Sequence, residues 1–103
     1  MSDIFKALAD PTRRQILADL SEGPMAAGEI GSRFSISGPS ISRHLGVLKA
    51  AGLVSERRDA NRIIYSLESD HLAVSMSKFL GSVCPAQFVI KARAARGRTN
   101  ARA

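Results

Sequence analysis

A change of pattern at Gly52 constrains the fold of this chain more than any other sequence feature. Before Gly52, apolar residues recur at helical spacing in four short segments. After it, residues 53–54 begin one predicted strand, residues 63–67 form a second, and the polar residues 58–61 between them predict a turn. Helical spacing returns from Asp70, which we expect to cap the last helix. This order predicts a mainly α fold with one β-hairpin.

Caps and breaks divide the helical part of the sequence. Asp10 and the proline after it predict the start of a second helix over residues 11–20, because an Asp side chain accepts from the free N–H groups of a new helix. A third helix is predicted over residues 26–34, although two glycines lower its helix propensity. Ser37 is the expected N-cap of the fourth helix, which should end at Gly52.

The length of 103 residues and an apolar content of 45% predict one small folded domain. No stretch approaches the roughly 18 consecutive apolar residues of a membrane span, and the N-terminus lacks the basic-then-apolar order of a signal peptide. We therefore expect a cytoplasmic protein without a membrane partner. The lone cysteine, Cys84, cannot form an intrachain disulfide, which agrees with a reducing compartment.

The net charge of +6 is concentrated at the C-terminus. All nine acidic residues lie before residue 71, whereas residues 84–103 hold five cations, which leaves +1 for residues 1–83. We predict a folded domain over residues 1–83 and a basic tail, partly helical or disordered, over residues 84–103. The tail either binds nucleic acid or is a solvated, frayed end, and both interpretations stay open.

The fourth helix has a buried and an open face when its residues are placed at 100° intervals. Ile41, Leu45 and Leu48 fall within about 60° of each other, so this stripe should face the core. Arg43 then points almost directly away, with small polar residues on its flanks. Small side chains permit close approach to a major groove, and arginine pairs with guanine O6 and N7. The open face therefore predicts a DNA recognition helix.

His44 lies near the edge of the buried stripe, about 60° from Ile41. It is either a boundary histidine satisfied by local hydrogen bonds or a contact to a DNA phosphate. The DNA-contacting residues predicted on the recognition helix and its cap are Ser37, Ser40, Ser42, Arg43 and His44.

The hairpin supplies a second basic cluster. Its predicted residues can reach the DNA backbone or the minor groove, although exposed hairpin tips are often basic for solubility alone. They are Arg57, Arg58, Asn61 and Arg62.

Five segments, in order, carry a resemblance to a known family. They are Ala7-Leu8-Ala9-Asp10-Pro11-Thr12-Arg13-Arg14 with Ile16-Leu17, Glu29-Ile30, Ser40-Ile41-Ser42-Arg43-His44-Leu45 with Leu48, Ala51-Gly52-Leu53-Val54, and Tyr65-Ser66-Leu67. Over roughly residues 3–80 the chain resembles the ArsR/SmtB family of bacterial winged-helix repressors. The resemblance implies a winged helix-turn-helix fold and a homodimer built from the first and last helices. It also implies an operator with dyad symmetry near the chain's own or a neighbouring promoter.

Apolar residues on the first and last helices favour a dimer independently, because they exceed what one small core easily buries. The alternative is that they are ordinary core residues. The predicted dimer interface consists of Phe5, Leu8, Met76, Phe79 and Leu80.

Both metal sites of the family are absent from the sequence. Metal-sensing members carry a Cys-x-Cys pair on the third helix, where this chain has residues 26–28 without a cysteine. They also carry an Asp-x-His on the last helix, where Asp70 and His71 are adjacent here. A hard-ligand site from Glu68, Asp70 and His71 is less favoured than a surface cluster ahead of the helix. We expect no metal and no cofactor, and no small-molecule or metal inducer is evident.

The wing turn also departs from the family, whose frequent glycine is replaced by Ala60-Asn61. We expect Asn61 to accommodate the left-handed conformation there, because asparagine tolerates it. Cys84 is the remaining candidate sensor, by an intersubunit disulfide or by oxidation of one thiol. A quiet, part-buried cysteine is the commoner outcome.

Sequence-specific repression at a promoter operator is the function that these observations favour. The alternative is a non-specific architectural nucleic-acid-binding protein that works through the basic tail. An enzyme is not indicated, because the two histidines have no matching nucleophile and there is no phosphate-binding glycine loop or apolar pair of acids.

Overall fold

Helices and short strands follow one another over residues 2–84, the residues that the structure, a computed structural model, describes. In chain order they are α1 (Ser2–Leu8), α2 (Pro11–Leu20), β1 (Met25–Ala26), α3 (Ala27–Gly31), α4 (Gly38–Ala50), β2 (Val54–Asp59), β3 (Arg62–Leu67) and α5 (Ser69–Val83). The predicted mainly α fold with a β-hairpin is confirmed. The chain divides into two compact units, one ending at Leu72 and one beginning at Ala73.

The predicted helix caps are present at α2 and α4. Asp10 Oδ2 accepts from the backbone N–H of Arg13 at 3.0 Å, and Ser37 Oγ accepts from that of Ser40 at 3.3 Å. Gly52 follows the last turn of α4 with a φ of +77°, a conformation that favours glycine. The expected cap at Asp70 is wrong, because α5 already begins at Ser69. Asp70 instead lies in the first turn, where a negative charge meets the positive end of the helix dipole.

The third helix is shorter than predicted. It covers Ala27–Gly31 alone, and a turn with a hydrogen bond from Phe34 N to Gly31 O at 3.2 Å replaces the expected last helical turn. Glycines at both ends of this segment explain the early stop, because glycine loses the most backbone freedom in a helix. The residues just before it form β1, a strand that the sequence pattern does not predict.

The three strands form one antiparallel sheet in the order β1-β3-β2. Met25 lies opposite Tyr65, so the short β1 adds a third strand to the hairpin, beside β3 and on the side away from β2. Residues 58 and 59, predicted as turn, belong to β2, and Asp59 lies opposite Arg62. This register leaves a two-residue loop whose first residue needs a positive φ. That residue is Ala60, at 57°, and the expectation that Asn61 takes this conformation is wrong.

The core of the first unit is built from apolar residues of successive elements. Ile16 of α2, Ile30 of α3, Leu48 of α4 and Leu53 before β2 are its largest fully buried side chains. Burial of each such side chain stabilises the fold by about 1.5–3 kcal/mol. The buried face of α4 is therefore held against the core, and its opposite, exposed face is available for binding. No helix within residues 2–84 is long and apolar enough to cross a membrane.

Candidate nucleic-acid interface

The two faces of α4 lie as its sequence pattern predicts. Ile41, Leu45 and Leu48 are 4%, 2% and 0% exposed, whereas Ser42 and Arg43 are exposed. The guanidinium of Arg43 forms no hydrogen bond or ion pair with any residue that the structure describes. An unpaired guanidinium on a rigid helix retains all its donors for a ligand. The exposed Arg43 is thus the residue of this helix whose side chain is available to bind a ligand.

Ser37 and Ser40 are already engaged with each other at the start of α4. Their hydroxyls are 3.0 Å apart, with Ser37 donating, and Ser37 Oγ also accepts from the backbone N–H of Ser40. Ser40 is half-buried, in contrast to the exposed Ser42. The structure therefore separates the three serines of the predicted site into a hydrogen-bonded pair at the N-cap and Ser42, which lies apart from this pair on the exposed face of α4.

The side chain of His44 is 16% exposed and has a partner outside α4. Its Nδ1 lies 3.1 Å from Nη1 of Arg13, on α2, and 4.0 Å from Oδ2 of Asp10. The hydrogen bond to Arg13 agrees with the first interpretation of His44, a boundary histidine satisfied by local hydrogen bonds. The contact to a DNA phosphate stays a prediction.

The backbone N–H of Arg13 is the largest influence on the neighbouring Asp10. It lowers the pKa of the Asp10 carboxyl below 3.8, although desolvation acts in the opposite direction.

Two adjacent arginines of α2 cap the end of α1. In the sequence they carry only the family resemblance and are not predicted as caps. Arg13 donates from Nε to the carbonyl of Ala7 at 2.8 Å and from Nη2 to that of Lys6 at 3.0 Å. Arg14 donates from Nη1 to the carbonyl of Leu8 at 2.7 Å. Cationic donors suit the C-terminal end of a helix, where carbonyls are unpaired. The only signal in the sequence was two arginines shortly after a helix stop.

The structure distributes the predicted wing residues over the hairpin. Arg57 and Arg58 lie within β2, so their side chains leave opposite faces of the sheet. Asn61 is exposed in the loop, and Arg62 begins β3 on the same face as Arg57. Arg62 Nη2 is 3.5 Å from Oε1 of Glu29. Arg57 and Arg62 therefore share one face, and the four residues do not form a single cluster at the tip.

An ion pair that was not predicted from the sequence joins the end of α4 to the wing. The Lys49 ammonium and the Glu56 carboxylate are hydrogen-bonded partners. This bond lowers the pKa of Glu56 and raises the pKa of Lys49. Burial raises the pKa of the neighbouring Tyr65 phenol. The contact ties the orientation of the hairpin to the helix that precedes it.

The predicted dimer residues are all at least partly accessible. In the first unit, Phe5 and Leu8 are half-buried, and Leu8 packs against the core. In the second unit, Met76 and Leu80 are half-buried and Phe79 is 43% exposed. No residue of α5 is buried.

The remaining candidates lie at the C-terminal end or on the surface. Cys84 has a half-buried, free thiol, and its backbone N–H bonds to the carbonyl of Leu80. The cations of the predicted basic tail lie outside the described residues. Glu68, Asp70 and His71 are exposed, and residues 2–84 contain no group of three side chains that could hold a metal ion.

The helix pair α3–α4 followed by the hairpin β2–β3 defines the class of the domain as a winged helix-turn-helix. A family model described as a helix-turn-helix domain matches residues 8–57. The chain is 46% identical over 83 residues to the transcriptional repressor SdpR of Bacillus subtilis, an alignment covering 81% of this chain and 92% of that protein. It spans 54–64% of the length of three other regulators that it matches.

Two solved structures have the same fold. One is an ArsR family transcriptional regulator with a TM-score of 0.72 and 28% identity, covering 79% of this chain and 84% of that one. The other is an ArsR-like regulator from Rhodococcus sp. RHA1 with a TM-score of 0.71 and 27% identity, covering 93% and 89%. The chain belongs to the ArsR/SmtB family of winged-helix transcriptional repressors. It is a DNA-binding regulator of transcription and not an enzyme.

Proposed function

We propose that this chain represses transcription as a homodimer by occupying an operator with dyad symmetry at its own or a neighbouring promoter. The observation that carries the proposal is the exposed, unpaired Arg43 on a helix whose other face is fixed in the core. Repression agrees with the similarity to SdpR of Bacillus subtilis, which is a transcriptional repressor. A repressor must reach promoter DNA, so we assign its action to the cytoplasm.

Base recognition is assigned to Arg43 and affinity to the wing. Arg43 would pair with O6 and N7 of a guanine in the major groove, and the exposed Ser42 beside it permits close approach of α4 to the bases. Arg57 and Arg58 would contact phosphates, which position a protein on DNA without reading sequence. Each good bidentate contact contributes about 1–3 kcal/mol of discrimination against a wrong base.

A second copy of this chain is the proposed partner of the apolar residues on α5. Val74, Phe79 and Val83 are 54%, 43% and 64% exposed on that helix. Large apolar side chains on one exposed helix are typical of an interface, and a two-fold dimer would place the same patch on both subunits. Two recognition helices would then read half-sites about one helical turn of DNA, or a multiple of it, apart.

Replacement of Arg43 tests the proposal. We expect Arg43→Ala to lose about 1–3 kcal/mol of operator binding and to relax preference at one base position. Arg58→Ala is the matched control, because it should weaken binding to all sequences alike. Binding of a footprinted operator is measured with single-base variants of each half-site. Unchanged affinity of Arg43→Ala for that operator would show that the assignment of the recognition helix is wrong.

The dimer and the tail are tested separately. Phe79→Asp should shift the molar mass measured by light scattering from dimer to monomer and abolish tight operator binding. Deletion of residues 91–103 should lower affinity for all DNA but leave operator preference intact. A truncated chain that releases all DNA would instead support the non-specific architectural function.

A further inference from the structure

Arg13 joins the recognition helix α4 to two neighbouring helices, α1 and α2. Its guanidinium donates to the carbonyls of Lys6 and Ala7 at the end of α1, and to Nδ1 of His44 on α4. Its backbone belongs to the first turn of α2. A half-buried arginine with three directed hydrogen bonds holds its partners in one geometry, because the planar donor fork has little freedom.

The contact with Arg13 determines which nitrogen of His44 carries the proton. A guanidinium has only donors and stays charged, so the nitrogen that faces it at 3.1 Å must accept. Asp10 Oδ2 is 4.0 Å from the same Nδ1, beyond hydrogen-bonding distance, and does not compete for a proton there. In this contact Nδ1 accepts, which leaves Nε2 as the nitrogen that carries the N–H of the His44 ring.

The Nε2–H donor of His44 reaches solvent. It has no hydrogen-bond partner among the described residues, and none of their buried side-chain nitrogens lacks a partner. The donor consequently lies at the surface of α4, one residue after Arg43. A DNA phosphate oxygen is an acceptor that would satisfy it.

We propose that Arg13 is a positioning residue for DNA recognition, which holds His44 in the Nε2–H tautomer so that this nitrogen donates to a DNA phosphate. The inference rests on the proposed function of the recognition helix, and it adds a residue of α2 that lies 31 positions away from His44 in sequence. In this proposal Arg13 acts on DNA binding without contacting DNA itself. Its effect on operator affinity passes through His44.

Nitrogen NMR of the free protein tests the tautomer without DNA. Long-range 1H–15N spectra distinguish the two neutral forms of histidine, and the chain contains only His44 and His71, so the His71→Gln variant assigns the signals. We expect a protonated Nε2 on His44 in the unaltered chain and a mixture of tautomers in Arg13→Gln. A protonated Nδ1 in the unaltered chain would overturn the proposal.

A double-mutant cycle tests the path through His44 to DNA. Arg13→Gln should lower operator affinity about tenfold, in the range of a lost hydrogen bond to a charged group. In the His44→Ala background the same replacement should change affinity less than twofold. An equal loss in both backgrounds would mean that Arg13 acts independently of His44. Thermal unfolding of each variant shows that it is folded at the temperature of the binding assay.

Two replacements of His44 keep Arg13 intact and separate the ring nitrogens. His44→Gln offers an amide donor near the position of Nε2, whereas His44→Asn offers an acceptor near Nδ1. We expect the Gln variant to bind operator at least fivefold more tightly than the Asn variant, and the opposite order would refute the phosphate contact. If the unaltered chain binds no operator, the proposed function fails, while the NMR result still decides the tautomer.

Discussion

Glu29 Oε1 lies between two donors: it accepts from the backbone N–H of Ala26 at 2.8 Å and is 3.5 Å from Nη2 of Arg62. The first contact caps α3, and the second joins that helix to the start of β3. Both side chains of the ion pair are 60% exposed, so the pair itself adds no more than about 1 kcal/mol to stability. Its main effect is to neutralise Arg62, one of the cations predicted to contact DNA.

Removal of the Glu29 charge should therefore strengthen DNA binding. Glu29→Gln keeps an oxygen that accepts from Ala26 N but frees Arg62 for a phosphate. We expect affinity to rise about two- to fivefold for operator and random DNA alike, in the range of one surface ion pair. The slope of log affinity against log salt should steepen by up to about 0.9. With Arg62→Ala already present, the same replacement should have no such effect, and a gain confined to the operator would contradict this account.

The left-handed conformation of Ala60 predicts a stabilising replacement in the wing. At a φ of 57°, an L residue with a Cβ costs about 1–2 kcal/mol. Glycine avoids this cost, and the higher entropy that it gives the unfolded chain offsets only part of the gain. Ala60→Gly should raise the free energy of unfolding by about 0.5–1 kcal/mol. Urea denaturation followed by circular dichroism measures the change.

The same replacement in a helix provides the matched control for Ala60. Ala18 is exposed on α2, where glycine should lower the free energy of unfolding by about 1 kcal/mol. Opposite signs at residues 60 and 18 would separate local backbone conformation from the general effect of glycine. A loss of stability at both residues would show that the hairpin does not hold Ala60 at a positive φ.

Features set by neighbouring residues were predictable from the sequence. The caps at Asp10 and Ser37 act across three residues, and the stripe of Ile41, Leu45 and Leu48 follows from helical spacing alone. These features are sufficient to place Arg43 on the open face of α4. The fold class and the recognition helix could therefore be predicted from the pattern of residues.

Features that depend on distant partners were not predictable in the same way. The strand β1 has two residues and exists because Met25 pairs with Tyr65, so no alternation marks it. Arg13 and His44 are 31 residues apart in sequence, and no pattern around either residue predicts their contact. Folding also places Arg62 beside Glu29, which lies 33 residues away in sequence. This ion pair lowers the net positive charge of the wing below what the composition of the hairpin indicates.

Asp10 gives the stability a specific dependence on pH. Because its folded-state pKa is lowered below 3.8, chiefly by the backbone N–H of Arg13, the carboxylate stabilises the fold at pH values above 3.8. This contribution is lost as the pH falls through the lowered pKa. Asp10→Asn retains a good N-cap but not the charge. We expect the stability difference between the two proteins to be constant near neutral pH and to vanish in acid, as measured by denaturation from pH 7 to pH 2. A difference that persists at the lowest pH would contradict the role of the charge.

Gly52 is a position where even a small replacement should lower the stability of the fold. Its φ of +77° disfavours any side chain, and a Cβ there would come within 3.0 Å of His71 Nε2. Gly52→Ala should lower the free energy of unfolding by about 1–2 kcal/mol through backbone strain alone. The imidazole is the far end of a flexible side chain and can move a few tenths of an ångström, so we expect His71→Ala to recover less than half of the loss. Urea denaturation of both variants measures the two parts. Full recovery in the double variant would mean that the contact with His71, and not the left-handed backbone, requires glycine at the end of the recognition helix.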